Sequence, residues 1–273
     1  MAGVGVTLSL KEWTRYRDIL AALSQAAADE FREAVWSTNG LFKGVGLGNI
    51  PRDQLIAYAY ELVAKYSEGS AEAACQFYDA MAALSGVAVP AAVPAPVPTP
   101  NDVATALYGT AKTTDNPEII GAVMGRLVKQ TGQDTTLRNA KRDGATVAWI
   151  PAGITCAFCI TLASAGWHEV SERVMKGDHA KHIHSNCDCA FAVQFNGKPE
   201  YAGYGDGERY QNMYESAKKE SKKEGNDTSN GAINVMRRRF YDQNKEEINA
   251  QKRAAYARRK ELNSSAAEET NVN

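Results

Sequence analysis

The residues best suited to chemistry are concentrated in one stretch, 150–193, which contains four of the five cysteines and all four histidines. The candidate ligands are Cys156, Cys159, His184, Cys187 and Cys189. The first two form a C-x2-C pair, and the last three form an H-x2-C-x-C group further along the chain. Zinc takes four soft or borderline ligands in a tetrahedron, which two such groups can supply together. The spacing predicts a zinc site of the first two cysteines and Cys187, with either Cys189 or His184 as the fourth ligand.

Two other interpretations of these cysteines stay open, namely free thiols in the core and disulfides. Free cysteine is among the most buried residue types, but scattered core cysteines would not place four of five in one window. The odd cysteine count and the lack of a secretory signal peptide favour a reducing cytosol, where disulfides are rare. We therefore expect a metal site, with disulfides or free thiols as the alternatives.

The motifs of known zinc enzymes do not occur in this stretch. A metalloprotease helix needs H-E-x-x-H, but the pair His168-Glu169 is followed by Glu172 where the second histidine should be. A nucleobase deaminase needs P-C-x-x-C after H-x-E, and here Thr155 replaces the proline. Because protein side chains can fill all four positions around the ion, we expect a closed structural site with no catalytic residue.

The overall composition is that of an ordinary globular protein, with 44% hydrophobic and 23% charged residues. A formal net charge of −1 gives no global attraction to nucleic acid or to an anionic membrane. The longest apolar stretch, 86–97, is interrupted by prolines and is too short to span a bilayer. We therefore expect that the protein is synthesised in the cytosol and does not associate with a membrane.

The elements that must position the cysteines are mostly helical. Apolar residues at three- and four-residue steps predict helices at 8–36, 51–66, 71–85, 101–111, 117–130 and 134–145. Residues 147–150 predict a strand, and 157–165 a short helix that leaves the C-x2-C turn. Alternation over 187–193 predicts another strand, in which Cys187 and Cys189 point to the same face. The predicted fold class is α+β and predominantly α-helical.

Two changes in composition divide the chain into predicted domains. Residues 86–100 are rich in proline, alanine and valine, which predicts a semi-rigid extended linker. After Asn196 the chain carries charge runs and few apolar residues, so this tail should dock on a partner or stay mobile. The predicted parts are a helical N-terminal unit at 1–85, a linker at 86–100, a helical plus Cys/His module at 101–196, and a charged, partly mobile helical tail at 197–273.

The cysteine motifs resemble a known family. The C-x-F-C-x-x-L-A-S-x-G segment within 150–166 and the later H-x-x-C-x-C segment are similar to the minor head proteins of tailed phages, in particular the MuF-like group of actinobacterial phages and prophages. The alanine-rich helix that contains Phe77, Tyr78 and Asp79 resembles another segment of that group. The resemblance covers about residues 5–195 and weakens after residue 197.

The resemblance implies a minor capsid (head morphogenesis) structural protein of a tailed phage or prophage. Such a protein is made in the host cytoplasm and built into the virion, in the capsid interior or at the portal vertex. The implied partners are the portal protein and the major capsid or scaffolding protein. The residues that match the family motifs carry only a structural metal-site role: Cys156, Cys159, His184, Cys187 and Cys189.

Two other functions stay open as alternatives. One is a capsid maturation protease or another genome-delivered enzyme, although the chain contains no G-x-S-x-G elbow. The other is a nucleic-acid-binding module, in which the basic clusters of the tail at 218–260 would contact packaged DNA.

Overall fold

The computed structural model describes residues 2–152, 156–175, 187, 189–196 and 206–270. The elements in chain order are α1 (Ala2–Trp36), a 3-10 helix (Leu47–Asn49), α2 (Arg52–Leu84), α3 (Pro100–Ala111), α4 (Pro117–Asp143), β1 (Thr146–Ile150), α5 (Ala157–Ala163), β2 (His168–Glu169), α6 (Glu172–Met175), β3 (Ala190–Gln194), α7 (Gly207–Lys223) and α8 (Ser229–Thr270). The prediction of a predominantly helical α+β fold is confirmed. The chain forms two compact units, Met1–Gln211 and Asn212–Asn273, which are described separately.

Three long helices, α1, α2 and α4, form the centre of the first unit. Phe31 of α1, Val63 of α2 and Val128 of α4 are fully buried in one hydrophobic cluster. The shorter helix α3 adds Val103 and Leu107 to the same cluster. Helices from both sides of the proline-rich region therefore share one core, and the domain boundaries drawn from the sequence stay a prediction.

Helices α2 and α4 each run unbroken where the sequence predicts two shorter helices. The predicted pairs are 51–66 with 71–85 and 117–130 with 134–145. In α4 the predicted break falls at Gly132, where the helix packs closely against α1 and α2. A Cβ atom on Gly132 of α4 would lie 2.6 Å from Ser70 Oγ of α2 and 2.7 Å from a methyl carbon of Leu20 of α1. The glycine thus permits tight helix packing and does not end the helix.

The Pro-rich segment (residues 86–99) is held against α4 by side-chain hydrogen bonds. The amide of Asn139 accepts from the Val93 N–H and donates to the Val93 carbonyl, both at 2.9 Å. One turn earlier on α4, Thr135 Oγ1 accepts from the Ala95 N–H at 2.9 Å. Two residues of a polyproline-type chain advance by about 6 Å, close to the 5.4 Å pitch of a helix, so successive turns of α4 can hold alternate residues.

A charged group holds the other end of this segment. Arg142, near the end of α4, donates to the carbonyls of Pro90 and Ala91 at 2.8 and 3.1 Å. Its guanidinium also pairs with Asp143 at 2.7 Å, and the Tyr78 hydroxyl donates to the same carboxylate at 2.9 Å. The segment predicted as a linker is therefore bonded to the fold along its length.

A three-stranded antiparallel sheet with the order β2-β1-β3 follows α4. The chain turns from α4 into β1 at Gly144, whose φ of +67° favours glycine. Trp149 of β1 lies opposite Phe191 of β3, and their rings pack edge to face with the ring centroids 4.7 Å apart. The strand predicted at 147–150 is confirmed. The second predicted strand begins only at Ala190, so the two cysteines at 187 and 189 precede it.

In the second unit, α8 contacts α7 through ion pairs. Arg238 donates to the Glu224 carboxylate at 2.6 and 2.7 Å, and Arg239 donates to Glu220 at 2.5 Å. Ala217 of α7 is fully buried. Helix α7 ends at Lys223 and α8 begins at Ser229, so the described part of the tail contains two helical segments. Within the described ranges, no helix combines the length and apolarity required to cross a bilayer.

Candidate metal centre

The C-x2-C pair lies at the start of α5. Cys156 is the N-cap residue, and its Sγ accepts a hydrogen bond from the Cys159 N–H at 3.4 Å. Cys159, on the first turn, is fully buried, whereas Cys156 is half-buried. The helix start therefore places one thiol inside the fold and the other beside it.

The second pair lies on a segment that we call the cysteine arm, which consists of the described residues 187 and 189–191. Its backbone is held by two side chains of α4 that are four residues apart. Lys129 Nζ donates to the Cys187 carbonyl at 2.7 Å. Gln133 Nε2 donates to the Cys189 carbonyl at 3.3 Å, and Gln133 Oε1 accepts from the Phe191 N–H at 2.8 Å. The arm is thus bound to α4 both before β3 begins and at the second residue of β3.

Three buried sulfur atoms meet between these elements. The Sγ atoms of Cys159, Cys187 and Cys189 all lie within 4.8 Å of one another, and the first two are 3.4 Å apart. The Ala152 N–H donates to Cys189 Sγ at 3.3 Å. Four thiolates at about 2.3 Å from a tetrahedral zinc would be separated by about 3.8 Å. The three thiols therefore fit the ligand spacing of one ion and could bind a metal.

The surroundings of these thiols oppose ionisation when no cation is present. Hydrogen bonding to Cys156 and then to the other two thiols, followed by burial, raises the pKa of Cys159 far above its ordinary value. Contact with Cys159 lowers the pKa of Cys189, but contact with Cys187 and burial outweigh it and raise the value to about 12. A bound cation would reverse this balance because it stabilises thiolates directly.

Four of the five predicted ligands can be placed in the structure. Cys159, Cys187 and Cys189 form the buried group, and Cys156 touches Cys159 at its edge. All four are unbridged thiols, and so is the fifth cysteine of the chain. The sequence leaves the fourth ligand open between Cys189 and His184. Cys189 lies in the buried group, whereas His184 lies outside the described residues, so that choice stays a prediction.

Sequence reasoning missed the two residues that hold the arm, Lys129 and Gln133. Their hydrogen bonds go to backbone groups 56 to 58 residues away, which leaves no local motif. The available signal was weak: Gln133 falls in a short polar interruption of the apolar pattern and is 2% exposed in the structure. A polar residue with so little exposure needs a partner, but the sequence does not say which.

Comparison with known proteins gives one match. The model of the VG15 protein family matches residues 7–217, a range that contains most of α1, all of α2 to α6, the whole sheet and all five predicted ligands. No curated protein and no solved structure matches the chain. The chain therefore belongs to the VG15 protein family, a viral gene family, and this membership indicates a phage-encoded protein.

Proposed function

We propose that this phage protein is a minor capsid, or head morphogenesis, structural protein of the MuF-like type. The observation that carries the proposal is the buried thiol group of Cys159, Cys187 and Cys189. These residues come from the two motifs through which the sequence resembles the MuF-like group. The family match over 7–217 supports the phage origin and covers both motifs.

The ion that we propose for this centre is zinc. Thiolates are soft ligands that select zinc or iron–sulfur clusters over magnesium and calcium, and a closed set of four protein ligands is typical of structural zinc. Three ligands are the buried cysteines. We propose Cys156 as the fourth because it already touches Cys159, with His184 as the alternative.

The ion would act as a cross-link within a small module. The sheet contains one two-residue strand, and α5 has only seven residues, so this part of the chain offers little core of its own. An ion bound by Cys159 of α5 and by the cysteine arm would join the module without additional core. The first unit would then present a rigid surface for assembly.

We propose no catalytic role. A reactive cysteine needs a lowered pKa and access to solvent, whereas Cys159 is fully buried and its pKa is raised. The nucleic-acid alternative is weakened because Arg238 is paired with Glu224, directly after α7, and Arg239 with Glu220 of α7. Incubation with the major capsid and scaffolding proteins tests the enzyme alternative, and defined cleavage products would favour it.

The proposed role predicts where the protein is found. Mass spectrometry of purified particles of a phage that carries this gene should detect the chain at a fixed, low ratio to the portal protein. Tagged protein that is co-expressed with the portal, major capsid and scaffolding proteins should retain at least one of them. A chain that is missing from the particles and retains none of these partners would contradict the proposal.

A further inference from the structure

Gln133 uses both atoms of its amide on the cysteine arm. Its nitrogen donates to the Cys189 carbonyl, and its oxygen accepts from the Phe191 N–H. Lys129, one helical turn earlier, donates to the Cys187 carbonyl. Three backbone groups of the arm, the carbonyls of Cys187 and Cys189 and the N–H of Phe191, therefore form hydrogen bonds with side chains of α4.

This arrangement fixes how the arm is rotated about its own axis. A side chain leaves the backbone close to its own carbonyl and adopts only a few staggered directions, so holding that carbonyl limits where the side chain can point. When the carbonyls at 187 and 189 are held against α4, the two thiols have a defined direction. In the structure that direction brings Cys187 Sγ to within 3.4 Å of Cys159 Sγ.

We propose that Gln133, assisted by Lys129, is a positioning residue of the metal centre, which sets the direction of the two arm thiols before an ion binds. This inference rests on the proposed metal centre. Hydrogen bonds that orient ligating groups from outside the coordination sphere contribute strongly to affinity, and their loss weakens metal binding on the order of 10- to 100-fold.

Helix α4 itself provides a matched control. Asn139 is also 2% exposed, and it also binds both the N–H and the carbonyl of a backbone segment, at 2.9 Å each. Its partner is Val93 in the Pro-rich segment, which contributes no metal ligand. Replacing Asn139 removes an equivalent pair of hydrogen bonds without touching the arm.

The test compares the full-length wild type with Gln133→Met, Lys129→Met and Asn139→Leu. Zinc affinity is measured by competition with a chelator, and cobalt(II) spectra report the ligand geometry. Melting temperatures of the metal-free proteins report general stability. We expect Gln133→Met to lower zinc affinity on the order of 10- to 100-fold and to alter the cobalt spectrum. Lys129→Met should have a smaller effect in the same direction, and Asn139→Leu should lower only the melting temperature.

Each other result is also decisive. Unchanged zinc affinity in Gln133→Met, or an equal loss in Asn139→Leu, would overturn the positioning role. If Gln133→Met does not fold, Lys129→Met decides, because its side chain is only partly buried, and unchanged affinity in that variant would refute the inference. A wild type that binds no zinc would refute the proposed metal centre itself. The preceding results would refute only the positioning role and would remain compatible with the metal centre.

Discussion

The Pro-rich segment and the cysteine arm are held by the same helix in similar ways but differ in what else fixes them. Each receives a two-way bond from a buried amide of α4, Asn139 in one case and Gln133 in the other. The Pro-rich segment is stiffened by its own prolines, which fix φ and reduce the freedom of the unfolded chain. The described residues of the arm contain no proline and instead provide buried thiols.

This difference indicates when side-chain hydrogen bonds alone are sufficient to hold a segment against a helix. A stiff segment loses little entropy on docking, so a few side-chain bonds can hold it. The arm must order a freer chain and also bury two sulfur atoms against a third, and thiols are weak hydrogen-bonding groups. A shared ion would supply the missing free energy, so removing the ion should affect the arm but not the Pro-rich segment.

The largest expected effect comes from removing a ligand. Cys187→Ser should lose the metal and destabilise the arm, because binding of structural zinc contributes about 10–16 kcal/mol in zinc-finger peptides. The metal-to-protein ratio and the melting temperature measure this. Cys75→Ser is the matched control, since Cys75 is a buried thiol of α2 that is only 6% exposed and lies outside the metal group. Full metal content and an unchanged melting temperature in Cys187→Ser would refute the prediction.

The next effect isolates the Pro-rich segment. Asn139→Leu leaves the Val93 N–H and carbonyl without their side-chain partner, and each unsatisfied group costs about 1–3 kcal/mol. Urea unfolding should show the loss of stability, and hydrogen exchange should increase at residues 92–95 and not at the arm. Increased exchange at the arm instead would show that the two segments do not behave independently.

A pH effect is expected at the charged end of the same segment. Hydrogen bonding from the Arg142 guanidinium, and then from the Tyr78 hydroxyl, holds the pKa of Asp143 below its usual range. A lowered folded-state pKa means that the stabilisation is present above the ordinary aspartate pKa of about 3.9 and is lost as the pH falls through the lower value. Asp143→Asn should cost about 1.5 kcal/mol at pH 7, at the low end for a charged hydrogen bond because Arg142 is partly exposed.

Urea unfolding of wild type and Asp143→Asn at several pH values checks this prediction. The difference between the two proteins should be constant above about pH 5 and should shrink below about pH 4. A difference that grows as the pH falls would have the wrong sign for a carboxylate with a lowered pKa. The metal content should be the same in both proteins at pH 7.

The smallest expected effect lies where the Pro-rich segment ends. Thr99 caps α3 by accepting from the Asp102 N–H, and the Asp102 carboxylate accepts from the Thr99 N–H. Thr99→Ala should lower stability by about 1 kcal/mol, which thermal melting can measure. Thr113→Ala, beyond the end of α3, removes an exposed hydroxyl and should have less effect. Equal effects of the two changes would contradict the capping role.

The sequence predicts the features that depend on local pattern. Helical periodicity predicts the fold class. The spacing of the two short cysteine motifs predicts that Cys159 and Cys187 lie in one site. It does not predict that Gly132 lies inside a continuous helix, because the need for a glycine there comes from the close approach of α1 and α2, which local pattern does not reveal. Nor does it predict that Asn139 and Gln133 bind backbone groups of distant segments, since these bonds join residues 46 to 58 positions apart.

The most direct test of the account is zinc K-edge X-ray absorption on the purified full-length protein. We predict one zinc per chain with three or four sulfur ligands at about 2.3 Å. A fourth ligand at about 2.0–2.1 Å would indicate His184 in place of Cys156. A protein without zinc, or with zinc bound only by oxygen and nitrogen, would contradict the claim that the two cysteine motifs share an ion.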